Sequence, residues 1–172
     1  EIDAILLTTG NGTHAKALFL DGLELAFEEN FLFTSTSSEI DHKGDLSTLQ
    51  KYRIGVVAGQ SYGEEFDAFS FQKKIVTVDE KHLLNMFKYQ RFDLGVGNKY
   101  VIMFHAIQAG LLESIHFINP PLSREPLYLG FSRTRNHQEL SRQFAEELQI
   151  FRKNSRFQEI TDGCKLNSAV RD

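Results

Sequence analysis

The feature that most limits what this chain can fold into is a regular exchange of short apolar runs and helix-like segments between Arg53 and Ile118. Arg53 to Val57 reads as a strand, Ala58-Gly59-Gln60-Ser61 as a turn, and Tyr62 to Phe69 as a short helix. Lys74 to Val78 has the β-branched character of a second strand. Thr77, three residues before Glu80, predicts a capping pair for a helix whose inward positions are Leu83, Leu84 and Phe87. Phe92 to Val96 is a third strand. Gly97 and Asn98 turn the chain into another helix, with Val101, Phe104, His105 and Leu111 or Leu112 on its inner side, and Ile115 to Ile118 is a fourth strand. Helices separate successive strands, so a parallel sheet with helices on both faces is the economical arrangement.

The flanks read differently. Ile2 to Thr8 is an apolar strand delivered into the polar, glycine-rich turn Thr9-Gly10-Asn11-Gly12, and Ala17 to Thr36 is extended chain rich in Phe and Leu. Ser35 to Asp45 is polar and predicts an exposed crossing between units. Pro120-Pro121 cannot donate to a ladder and predicts a second crossing. Leu127 to Phe131 is a fifth strand, and Asn136 is placed to cap a long helix carrying Leu140, Phe144, Leu148 and Phe151 on one face. Residues 155–160 read as a last helical turn, followed by a polar tail, and no internal repeat is visible.

Composition narrows the functional classes. With 172 residues, 41% hydrophobic and 24% charged, the chain can build one packed domain or two small lobes sharing a hinge. The net charge of -4, with no basic cluster interleaved with aromatics, argues against nucleic acid as a partner. No apolar run approaches the ~18 to 20 residues that cross a bilayer. Cys164 is the only cysteine, so the chain contains neither a disulfide framework nor a thiolate cluster, and it reads as a free thiol. His82, His105 and His116 lack a metal-ligand spacing; Glu64 and Glu65 read as solvent-facing, and the phenylalanines as core. Neither metal nor cofactor is expected.

The stretch from Tyr52 to Gly63, YRIGVVAGQSYG, resembles the opening of the second lobe of the family-three extracellular solute-binding proteins, the polar amino acid receptors of ABC importers. Arg91 to Asn98 is similar to that family's third strand of the lobe, Pro120 to Ser123 with Leu127 to Ser132 to its return hinge, and His137 to Phe151 with Phe157 to Ile160 to its C-terminal helices. The likeness lies in the order of several segments from Ile2 to about Ile160. It implies an α/β, type 2 periplasmic-binding-protein-like fold: two lobes with parallel-sheet cores joined by a two-strand hinge. Lobe 1 would comprise 1–36 and 127–160, each with a hinge strand near Phe31 to Thr36 and Leu127 to Phe131, and lobe 2 would comprise 47–121. Family members begin lobe 1 with about two further strand and helix units, so the resemblance also implies an incomplete lobe 1 and a possible dimer through its exposed apolar faces.

The candidate binding residues follow. Gly59, Gln60, Ser61 and Tyr62 would place unpaired N–H groups at a helix N-terminus, a seat for a carboxylate; the alternative is that Ser61 is an ordinary cap. Asn98, at the carboxyl end of a parallel strand, stands where the family commonly has an aspartate that receives an ammonium, and it can equally cap a helix. In lobe 1 the matching loop offers Thr9, Gly10, Asn11 and His14, with Lys16 nearby, but not the family's carboxylate-clamping arginine. The resemblance thus implies a non-enzymatic, periplasmic receptor that captures a small polar solute in an interlobe cleft and hands it to ABC transporter membrane subunits. A ligand-sensing input domain of a signalling protein is the alternative, and an enzyme on the same fold a weaker one.

Overall fold

The computed structural model describes residues 2–9, 15–22 and 24–160. In chain order the elements are β1 (Ala4–Thr9), β2 (Leu18–Phe19), β3 (Ala26–Ser35), β4 (Ile54–Val57), α1 (Glu64–Ala68), β5 (Lys74–Thr77), α2 (Glu80–Lys88), β6 (Leu94–Asn98), α3 (Lys99–Ala109), β7 (Ile115–Ser132) and α4 (Gln138–Arg152). They fall into two compact units: a flanking unit of Glu1–Phe27 with Pro126–Asp172, and a central unit of Glu28–Glu125.

The central unit carries strands in the order β7-β3-β6-β4-β5. β4 pairs in parallel with β5 on one side and with β6 on the other, while β3 runs antiparallel to β6. The pleat sends alternate residues to opposite faces, and each face is covered by its own helices. On one face Leu32, Ile54, Val56, Leu94 and Val96 pack with Tyr62 and with Phe66 of α1. On the other, Phe33 and Val57 pack with Leu83, Leu84 and Phe87 of α2 and with Ile102 and Ala106 of α3. The two glycines of β6 make the second face possible, because a Cβ on Gly95 would lie 2.1 Å from Phe33 Cζ and one on Gly97 2.8 Å from Ile102 Cγ1.

In the flanking unit β1 and β2 both pair antiparallel with the end of β7, Ala4 opposite Phe131 and Leu18 opposite Ser132. Phe144 of α4 meets Phe131 with ring centroids 5.7 Å apart, and Arg152 pairs with Glu24 at 3.1 Å. Among the described residues no helix is long and apolar enough to cross a membrane.

Several boundaries differ from those read in the sequence. The chain leaves the flanking unit within β3 after Phe27, ahead of the 31–36 read from the sequence, because Phe31, Leu32, Phe33 and Thr34 are all buried in the central unit; it re-enters within β7 at Pro126, next to the 127–131 read there. The central unit is correspondingly wider than 47–121. β7 continues through Pro120 and Pro121, which the central unit tolerates because that part of β7 is its edge strand. α1 starts at Glu64 rather than Tyr62, and α2 is capped by Asp79, which accepts from the His82 N–H at 2.8 Å, not by Thr77. α4 starts at Gln138 with no side-chain cap, and Asn136 instead takes a left-handed φ of 55° before it. The buried positions of α3 are Ile102 and Ala106, whereas Val101 and Phe104 are exposed.

His42 is a buried histidine, 3% exposed, in the loop that precedes β4, and its Nδ1 has no hydrogen-bond partner. It borders a cavity of about 130 Å³ shared with Glu65 and Phe66 of α1 and Pro120 to Leu122 of β7. Burial pushes its imidazole below the ordinary value of 6.5, while Asp41, Asp45 and Glu65 draw it partly back. The unfolded chain therefore binds the proton more readily. The contribution of neutral His42 is fully present above pH 6.5 and is lost as the pH falls toward the folded value. Melting temperatures measured from pH 7 to pH 5 should fall less steeply in His42→Gln than in the wild type; equal slopes would contradict the assignment.

Candidate functional site

Chain order through the three parallel strands creates a switch point. From β4 the chain goes through α1 to β5 on one side, then returns through α2 to β6 on the other side of β4. The connections leaving β4 and β6 therefore diverge to opposite faces, and the gap between their carboxyl ends is where open α/β sheets bind ligands. Those two ends are Ala58 to Tyr62, after β4, and Asn98, at the tip of β6.

Residues 58 to 61 are exposed. Gly59 takes a φ of +75° with nothing within 4 Å of where a Cβ would stand, so the turn is open on its outer side. The Gln60 side chain donates to Glu80 Oε1 at 2.6 Å, which ties the turn to the start of α2. Ser61 Oγ donates to Asp67 Oδ2 at 2.5 Å, and the Tyr62 N–H donates to both oxygens of the same carboxylate at 3.1 and 3.2 Å. The Tyr62 side chain points into the core. It is 2% exposed, its hydroxyl accepts the Val57 N–H at 2.8 Å, and burial pushes its pKa up to about 12. What Tyr62 contributes at the turn is thus its backbone and a bolt that fixes the end of β4.

Gly63 follows with φ +111°, and its missing Cβ would lie 2.6 Å from Ser123 Cβ. Ser123 also accepts from Nδ2 of the buried Asn30 at 3.2 Å, and Asn30 pairs in the β3–β6 ladder with Asn98. Asn98 caps α3: its Oδ1 accepts the N–H groups of Tyr100 at 3.0 Å and Val101 at 3.3 Å. Lys99 is drawn over Phe31 and Phe117, 5.7 and 5.6 Å from their ring centroids.

The structure thus places Gly59, Gln60, Ser61, the Tyr62 backbone and Asn98 at the ends of two neighbouring parallel strands. Thr9 belongs to β1 of the flanking unit and pairs with Leu127; Gly10, Asn11 and His14 lie outside the described residues, and Lys16 is exposed. Sequence reasoning missed Asp67 and Glu80, the carboxylates that hold the turn. Both sit on helices rich in charged residues, where a tertiary role leaves no mark on periodicity.

At the opposite ends of the same strands a groove of about 480 Å³ is lined by Thr34, Ser35, Ser37, Ser38, Arg53 and Asp93, among others. Its two central charges satisfy each other: Arg53 Nη2 donates to Asp93 Oδ1 at 2.7 Å and Nε to Oδ2 at 3.2 Å. This fork holds the Asp93 carboxyl below its usual range and raises Arg53. Among the described residues no group of three or more His, Cys, Asp or Glu could hold a metal ion.

No protein-family model matches the chain, and no curated protein matches it. Solved structures do. A histidine kinase sensor domain with similarity to periplasmic binding proteins superposes with a TM-score of 0.70 at 13% identity, over 94% of this chain and 69% of that one. An arginine third transport system periplasmic binding protein from Legionella pneumophila gives 0.67 at 12% identity, over 94% and 72%. An ancestral arginine-binding protein bound to glutamine gives 0.66 at 15%, over 94% and 70%. At such identities the likeness is one of fold, and the fold is that of the periplasmic binding proteins.

Proposed function

We propose that this protein is an extracytoplasmic receptor that binds a small polar solute, an amino acid or a related compound, at the strand tips of its central unit. The observation that carries the reading is the switch point between β4 and β6, where an exposed turn and the Asn98 cap stand side by side. Hydrogen-bonding groups on short, well-fastened turns fix the orientation of a polar solute at little cost in ordering. The reading requires no bond-making step. Neighbours of this fold described as binding arginine or glutamine favour transport, with delivery to ABC transporter membrane subunits. A second reading, the input domain of a signalling protein, is favoured by the likeness to a histidine kinase sensor domain.

Isothermal titration of the full-length protein with arginine, glutamine, agmatine and succinate tests the shared core of both readings. Saturable binding of at least one solute, accompanied by a concentration-dependent rise in melting temperature, is expected. Silence across an extended panel of amino acids, amines and small acids would sink it. Transport and sensing then separate on what co-purifies with the ligand-bound protein, importer subunits or a covalently continuous kinase.

A further inference from the structure

We infer that the cavity beside the buried His42 is a second binding site, one that takes a compact nitrogen cation of the ammonium or guanidinium type. This does not rest on the strand-tip reading. Two independent observations meet at the cavity. Its volume is about 130 Å³, and its walls come from three stretches of the central unit: the loop around His42, Glu65 and Phe66 of α1, and Pro120 to Leu122 of β7. His42, one of those walls, is 3% exposed, and its Nδ1 has no hydrogen-bond partner. A buried polar atom in that state costs free energy, which an occupant offering an N–H would recover. At roughly 30 Å³ per water, the space admits about four waters or one molecule of about four to six non-hydrogen atoms.

The lining decides the chemistry of the occupant. The Glu65 side chain, exposed to solvent, only accepts when ionised, and Pro120 and Pro121 carry no N–H to donate. Burial favours the neutral imidazole, which keeps a lone pair. The charged groups that act on the ring are Asp41 and Asp45 of its own loop and Glu65 of α1, all carboxylates, and the 120–122 stretch of β7 brings no titratable group. An anion would therefore meet repulsion with few donors to offset it. The Phe66 ring already carries Lys74, whose Nζ stands 5.2 Å from its centroid, so the charge of an occupant falls to Glu65. A donor-rich cation can satisfy the imidazole nitrogen and Glu65 together. Protonation of His42 removes the acceptor and adds a like charge, so binding should weaken as the pH falls from above 6.5 toward the lowered value of the ring.

Guanidinium, urea and acetate share a planar outline of nearly the same size and differ in charge, which makes them the probes. In amide-resolved NMR titrations of the ¹⁵N-labelled full-length protein at pH 7, guanidinium should give saturable shifts at His42 to Leu46, Glu65, Phe66 and Leu122. Half-saturation is expected in roughly the millimolar range, the reach of so small a ligand. Urea and acetate should not saturate there. Glu65→Gln, a change on an exposed side chain, should weaken guanidinium by about threefold or more. His42→Leu, checked first by its thermal melt, should abolish saturation. If that variant does not fold, the same titration of the wild type at pH 5 replaces it, and guanidinium should bind more weakly there than at pH 7. Urea or acetate saturating these amides as tightly as guanidinium, equal affinity in Glu65→Gln, or equal affinity at pH 5 would overturn the inference. So would shifts without saturation, which would leave the cavity to water alone. Saturable shifts confined to Gly59 to Gly63 and Asn98 would overturn it while leaving the strand-tip reading intact.

Discussion

Replacing Phe33 with alanine is expected to lower the unfolding free energy by about 3–5 kcal/mol, the range for deleting a buried aromatic ring. Phe33 is fully buried, and its ring meets Phe87, Phe92 and Phe117 with centroids 5.6, 6.3 and 6.1 Å away. It also lies directly on Gly95, so the ring fills the space that the missing side chain leaves on the α2–α3 face. Both helices lean on this one residue, and a cavity beneath them cannot collapse without moving β6. A denaturant titration should show a lower midpoint at unchanged slope. Gly95→Ala alone should also destabilise, yet in the Phe33→Ala background its methyl enters vacated volume, so the two effects should not add. A loss below about 1 kcal/mol for Phe33→Ala would mean that the face is not packed as described.

Gly63→Ala is expected to cost about 2–4 kcal/mol and to weaken solute binding as well, since a positive-φ strain and a steric clash fall on the same atom. The backbone there has φ 111° and ψ 145°, a conformation that only glycine adopts readily. An added Cβ would also meet Ser123 Cβ at 2.6 Å. Ser123 belongs to β7 and is held by Asn30, so it has no easy retreat. Relief would come by shifting the turn, which moves Ser61 and Tyr62 away from Asp67. Gly63→Ala/Ser123→Gly removes the clash and keeps the strain; chemical denaturation should show it recovering part of the loss. A single variant as stable as the wild type would contradict the geometry.

Much of the central unit was legible because local signals and tertiary structure agree there. The runs that became β4, β5 and β6 are bounded by turns and separated by helical patterns, so their parallel pairing follows from connection rules, whereas the return of β6 to the far side of β4 is visible only in the structure. Asn98 reads as a cap because its side chain does locally what the sequence says it can do. The misreadings have physical causes. α3 is apolar all round, with Tyr100, Val101, Phe104 and Ile107 exposed, so periodicity had no polar face from which to find the buried stripe at Ile102 and Ala106. Pro120 and Pro121 suggested a break, but an edge strand asks nothing of the missing N–H groups. Ser61 looked free to meet a ligand because its partner, Asp67, sits six residues on in a segment that reads as solvated surface; only the fold of the turn brings the two together.

The claim on which the account rests is that solute meets protein at the carboxyl ends of β4 and β6. The most direct measurement is an amide-resolved NMR titration of the ¹⁵N-labelled full-length protein with agmatine and with arginine. The account predicts saturable shifts centred on Gly59 to Gly63, Asp67 and Asn98 to Val101, with the groove around Ser35 to Ser38, Arg53 and Asp93 left unmoved. Shifts confined to that groove, at the other end of the same strands, would contradict it.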